Sequence, residues 1–453
     1  MMNQIVNNLG IPPLAGICDY GAAVKPGYDV ERTVNLLKRY NYVKSRLLAI
    51  FSAHLAKTPE WEVKCAIGFH LWLESEHAAS IRKRVSEMRE PPLHMDKVPD
   101  PKLETLMEEV IRADNTVELL TGIYGVIKPD MIRSIQKHMA ELNPLADHPT
   151  LRMLKIILSE EEEMVAWGKQ AADALISASQ SDGVANNWKK HVEHFLALAG
   201  GIDGASVRSG ENANIRARAD GNKYEMNVVP QRDSRFVDVH NRAGKIDDYY
   251  KDENLSPEER TFALLYKRLR EMDVPEWLGP VLYKTKGKPW EYYVDVSRQL
   301  WDEVRHAMMG EVGIVAADVP FYKYPVCVSA SEVLNKNFAP IESQLVLWGI
   351  EQGLMHKHTG KRWEWDIAKT SNNQLAVQFQ DYDWADEVLH TQIGRKWLLP
   401  EYNGLEDMNS RLEPLYTRWL KIMDDEFTPK SEQRNWWPDF MEDIRKQKEK
   451  VLL

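Results

Sequence analysis

Asp302-Glu303-Val304-Arg305-His306 and Asp386-Glu387-Val388-Leu389-His390 are two copies of one pattern, Asp-Glu-Val-x-His, within a single chain. Residues i and i+3 share a helix face, so Glu and His in each copy can grip one metal ion, or two neighbouring ions, from the same side. One Glu-x-x-His arises about once by chance in a chain of this composition, whereas two five-residue copies are expected at roughly a tenth of one or less. The apolar flanks Leu300-Trp301 and Ala385 set both copies on helix faces that turn toward a core.

A dinuclear carboxylate site needs one further Glu from each of two other helices. Glu351 suits one of them, an acid inside the apolar run Leu347-Trp348-Gly349-Ile350-Glu351; Glu342, near the start of the same helix, is the weaker choice. The other helix offers Glu271 or Glu276. Glu271 precedes Glu303 by 32 residues, the separation that sets two residues level on an antiparallel pair joined by a short loop. Glu276 extends the stripe Leu265, Leu269, Met272 and lies between Pro275 and Gly279-Pro280, where a kink is expected. Both stay open.

Four Glu carboxylates balance two divalent cations, and two neutral His add directional ligands. Burying four acids without metal would be very costly. Carboxylate with imidazole suits iron or manganese better than a thiolate-preferring metal. Asp302 and Asp386 are placed to accept the remaining ring N–H of the opposite helix's histidine, Asp302 from His390 and Asp386 from His306.

With these residues in hand, the pattern resembles the ferritin-like di-iron and di-manganese carboxylate superfamily. The run Asp386-Glu387-Val388-Leu389-His390-Thr391-Gln392-Ile393-Gly394-Arg395-Lys396-Trp397 is similar to the last-helix motif of an uncharacterised bacterial branch of it. The resemblance covers residues 257–400 well and 29–177 in outline. It implies a four-helix bundle holding two Fe (or Mn) ions, and in many members oxygen chemistry.

Apolar residues recur at helical spacing over 29–57, 60–88, 102–126 and 149–177, with a shorter helix after Pro129. Ser256-Pro257 opens a second helical series near 257–285, 289–315, 338–356 and 363–396, followed by one near 409–424. The expected fold is all-α: two ferritin-like four-helix bundles, the N-terminal one degenerate, joined by an irregular segment. The expected domains are 1–180, a connecting segment 181–256 with a helix at 186–198 and a short strand over 224–229, the di-metal domain 257–400, and a helical tail 401–453.

The first half follows the pattern only in part. Its first helix has no acid from 32 to 59, and Met164 stands where His is expected if Glu161 is a ligand. Glu118 is its candidate third-helix acid, while Glu74, Glu76 and His77, ahead of a basic stretch, read as surface pairs. This half reads as a scaffold or partner surface.

Composition bounds the rest. Net charge is -10, which argues against a nucleic-acid partner. No apolar run is long enough to span a membrane, and the N-terminus has no signal-peptide pattern. Cys18, Cys65 and Cys327 are sparse and unpaired, which fits a reducing, cytoplasmic setting. The 15 Trp read mainly as core, Trp301, Trp348 and Trp384 included.

The functional expectation is an oxidoreductase in which the metal pair activates O2 to oxidise or hydroxylate a small organic molecule, with Glu303 and Glu387 at the reacting metals. The alternative is a non-catalytic metal-binding scaffold or sensor. A homo-oligomer is compatible with either.

Overall fold

The structure is a computed structural model that describes residues 8–89, 94–209, 215–219, 221–243 and 246–451. It is all-helical, and the described residues contain no strand, so the strand expected over 224–229 is absent. No helix among them is long and apolar enough to cross a membrane. The chain divides into two compact units, Met1–Ile50 with Leu73–Glu225, and Phe51–Trp72 with Met226–Leu453.

The first unit draws on α1 (Tyr20–Ala23), α2 (Val30–Leu55), α3 (Trp61–Ser86), α4 (Pro101–Val110), α5 (Thr116–Gly122), α6 (Lys128–Glu141), α7 (His148–Ser179) and α8 (Asp182–Ala199). The end of α2 and the start of α3, residues 51–72, belong to the second unit. The helix expected over 102–126 is broken, because the Asn115 side chain accepts from Glu118 N and caps a new start. Pro129 ends nothing. A π-turn over Ile123–Ile127 leads straight into α6, and Pro129 has no N–H to bond back.

The second unit contains α9 (Ile246–Lys251), α10 (Pro257–Leu269), α11 (Asp273–Lys284), α12 (Trp290–Val315), α13 (Ser329–Asn337), α14 (Pro340–Leu354), α15 (Lys361–Thr370), α16 (Gln374–Leu398), α17 (Leu405–Glu426) and α18 (Trp437–Val451). Ser256 and Glu259 form a capping box that starts α10. A 3-10 turn, Arg270–Met272, separates α10 from α11. It contains Glu271, whose carbonyl Pro275 has no N–H to meet. The stretch expected as one helix over 363–396 is two: Asn372 adopts φ 58°, and Asn373 caps Ala376 N to begin α16. Helix α13 buries Ser329 and Ser331 through Asn335.

Helix α12 packs on α10, α11 and α16, α14 packs on α16, and α15 packs on α10 and α16. Gly310, four residues past His306, lets α12 approach α10 closely: a Cβ there would lie 2.2 Å from Leu269 N and 2.6 Å from Leu265 O. The connecting segment is not a separate body, since residues 181–225 go with the first unit and 226–256 with the second.

Candidate metal centre

Four helical segments of the second unit send carboxylates and imidazoles to one buried place. Glu271 comes from the 3-10 turn, Glu303 and His306 from α12, Glu351 from α14, and Asp383, Glu387 and His390 from α16. Two ligand sets result, in each of which one atom per residue lies within 4.8 Å of the others: Glu303, Glu351, Glu387 and His390; and Glu271, His306 and Asp383. Glu303 joins them, with Oε1 3.3 Å from His390 Nδ1 and Oε2 3.6 Å from His306 Nδ1.

The histidines are held from behind across helices. His306 Nε2 lies 3.2 Å from Asp386 Oδ2, and His390 Nε2 lies 3.4 Å from Asp302 Oδ2, the crossed pairing drawn from the sequence. In the neutral form of each ring, with Nε2–H donated to aspartate, Nδ1 is the lone-pair nitrogen that faces the carboxylates. Arg305 bonds both aspartates. Burial works to raise the Asp302 carboxyl, but His390 and Arg305 outweigh it and bring it to about 2.

Glu276 is elsewhere, its carboxylate held by Lys64 and Arg232. Glu342 is spent on the start of α14, accepting from Ala339 N at 2.8 Å. Of the three tryptophans, Trp348 is buried, and Trp301 lies with its ring 4.7 Å from Phe69.

Four participants escaped the sequence reading: Asp383, Gln299, Arg268 and Lys361. Gln299 Nε2 donates to Glu351 Oε1 at 2.5 Å. Lys361 Nζ lies 2.8 and 2.9 Å from the two Asp383 oxygens and 2.9 Å from Glu387 Oε1. Arg268 pairs with Asp383, with Glu271 at 3.0 Å and with Glu364 at 3.4 Å. A signal for Asp383 existed: Gln380, Asp383, Glu387 and His390 form a polar stripe at steps of three and four, all buried. The two cations carried no such signal.

The donor set fits a metal pair on three observations. First, Glu271 Oε2, His306 Nδ1, Glu351 Oε2, Glu387 Oε2 and His390 Nδ1 are buried and have no hydrogen-bond partner among the described residues, a costly state for five polar atoms unless something else engages them. Second, five carboxylates (Glu271, Glu303, Glu351, Asp383, Glu387) face two buried cations, Arg268 and Lys361, which leaves three negative charges. Third, without metal the cluster gathers protons. Burial and the neighbouring Glu387 and Glu303 push Glu351 well above the usual glutamate range. Burial opposes charge on His306 and His390, yet the surrounding carboxylates raise both well above the usual histidine value. Ligand protons of this kind are what metal binding releases.

The first unit carries a smaller cluster, and here the expectation of surface pairs is corrected: Glu74 and His77 are buried. Lys44 on α2 pairs with Glu161 on α7 and, at 3.0 Å, with Glu74 on α3; Lys128 on α6 pairs with Glu74 and, at 3.0 Å, with Glu161. Glu118 lies outside it, bonded to Arg218.

No family model, curated protein or solved structure matches this chain.

Proposed function

We propose that the second unit is a ferritin-like four-helix bundle that holds two divalent iron or manganese ions and uses them to oxidise or hydroxylate a small organic molecule with O2. The first unit is then a second bundle of the same plan with its metal positions filled by lysine. The observation that carries this reading is the convergence of five partnerless donor atoms from two Glu-x-x-His helices and two further acids.

Such a metal pair, when bound, supplies the electrons and open coordination positions that O2 reduction needs. The chain's own residues do the rest. Glu303, with one oxygen toward each histidine, would help to hold both ions. Asp302 and Asp386 fix which nitrogen of each ring carries the proton. The burial of Glu303, Glu351, Asp383, Glu387, His306 and His390 themselves keeps bulk water from the reacting atoms. Carboxylate and imidazole donors without thiolate favour iron or manganese.

A metal-binding scaffold without turnover is the second reading, favoured by the near-complete burial of every donor, Glu271 at 15% side-chain exposure being the most open. The deciding experiment loads the purified chain anaerobically with Fe(II), counts the metal and follows O2 uptake by stopped flow. About two irons per chain and rapid O2 consumption support the enzyme. Bound iron that is inert to O2 supports the scaffold. No bound iron in a folded protein ends both.

A further inference from the structure

The two metal positions are not chemically equal: buried cations hold more of the carboxylates at one than at the other. At the His390 position, Glu351 touches no cation and is met by the neutral Gln299 amide. Glu303 meets only the imidazoles, and Glu387, whose Oε1 lies 2.9 Å from Lys361 Nζ, keeps Oε2 unpartnered. At the His306 position both unshared carboxylates are already in ion pairs. Asp383 is engaged through both oxygens by Lys361 and also by Arg268, while Glu271 meets Arg268 at 3.0 Å and Lys361 at 3.8 Å. Lys361 is fully buried. It is the first residue of α15, entered from Gly360, and α15 packs on both α10 and α16, which aims the side chain between Asp383 and Glu387.

We propose that Lys361 sets the order and tightness of metal loading: the His390 position fills first, and the His306 position fills only against the ammonium of Lys361. This inference rests on the metal-centre reading. A divalent ion among Glu271, Asp383 and His306 meets a fixed positive charge that already holds Asp383, and at separations of a few ångströms in a dry interior that repulsion is large. Arg268 is less of a competitor, because Glu364 also binds it and its planar fork is anchored on three acids. The lysine is a compact point charge and the stronger rival for the same oxygens. Lys361 is therefore a specificity-determining residue: it makes the centre ask for two ions of unequal affinity, which suits a mixed pair as readily as a matched one.

The test is titration of the full-length protein with Mn(II), read by calorimetry and by EPR, on wild type, Lys361→Met, Lys361→Gln and His390→Ala. The expected wild-type isotherm has one tight and one weak site, separated by about tenfold or more in Kd. In Lys361→Met the second site tightens by about tenfold or more, and the signal of a coupled manganese pair grows in at lower Mn(II). Lys361→Gln keeps a donor toward Asp383 without the charge, and carries the test should Lys361→Met fail to fold. His390→Ala removes the tight site. Two equal sites in wild type, or a Lys361→Gln isotherm like that of wild type, overturn the inference while leaving the metal centre standing. No Mn(II) bound by folded wild type, or binding that His390→Ala leaves intact, overturns the metal-centre reading itself.

Discussion

Each unit buries a glutamate and a histidine three residues on, together with an acid from a later helix, and the two solve the resulting charge problem differently. In the first unit Glu74 and Glu161 face Lys44 and Lys128, two charges of each sign, all fully buried. Burial works to raise Glu161, but Lys128 and Lys44 hold it down at about 2, and burial with the nearby Lys44 depresses His77. Its charges balance, while Glu74 Oε2 and His77 Nδ1 have no hydrogen-bond partner among the described residues, and Glu74, His77 and Glu161 bring one ligand atom each within 4.8 Å of one another. If the two units share one plan, as proposed, Glu271 and Glu351 of the second correspond in chain order to Lys44 and Lys128 of the first, and His390 to Met164. Three substitutions of that kind turn a closed ion-pair network into one short of positive charge. On the proposed reading, Glu-x-x-His on a buried helix does not itself specify a metal, and the identity of the two facing helix residues does.

The comparison breaks most visibly at Glu303. Glu303→Ala should empty both metal positions, taking bound metal from about two ions per chain to near zero by elemental analysis. Glu74→Gln should leave the metal content of the folded protein unchanged, and equal losses in both variants would erase the distinction between the units.

Next in size is the lysine side. Lys128→Met leaves Glu74 and Glu161 to share Lys44 alone in a dry interior, and removal of one partner of such a network costs about 3–5 kcal/mol. The double variant Lys128→Met/Glu74→Gln should recover much of that loss in denaturant unfolding. A single variant as stable as wild type would show the network to be incidental.

A smaller effect is expected behind the histidines. Asp386→Asn leaves the donor set intact but loosens His306, so metal affinity should fall by about 10–100-fold, as for other carboxylates that orient a ligand histidine. Affinity unchanged in a competition assay with a chelator would remove Asp386 from the centre.

The smallest effect concerns pH. Glu161 is lowered relative to an unfolded glutamate, so its contribution is fully present above the unfolded value near 4.5 and is lost as pH falls toward about 2. Its ion pairs should thus add no pH dependence between pH 5 and 8, and Glu161→Gln should flatten the stability profile only on the acid side. A difference in slope near neutrality would contradict that assignment.

The helical class and the two Glu-x-x-His faces were legible because they depend on spacing within one helix. So was the crossed aspartate arrangement, which follows from residues adjacent in sequence to the ligands. The choice between Glu271 and Glu276 was not. Both lie on plausible faces, and only the partners Lys64 and Arg232, the latter from a segment without periodicity, claim Glu276. Lys44, Lys128 and Lys361 were illegible for a related reason: a lysine in a helix reads as solvent-facing, and its use as an internal counter-ion depends on acids from other helices. The division into units was hidden because residues 51–72 belong with the second unit, a long-range association that no local pattern encodes.

The most direct test of this contrast is anomalous diffraction at the metal absorption edge from crystals of the metal-loaded protein. Density is expected between His306 and His390, beside Glu303, and none beside Lys44 and Lys128. Density at Glu74 and Glu161, or a loaded protein with none at Glu303, would contradict it.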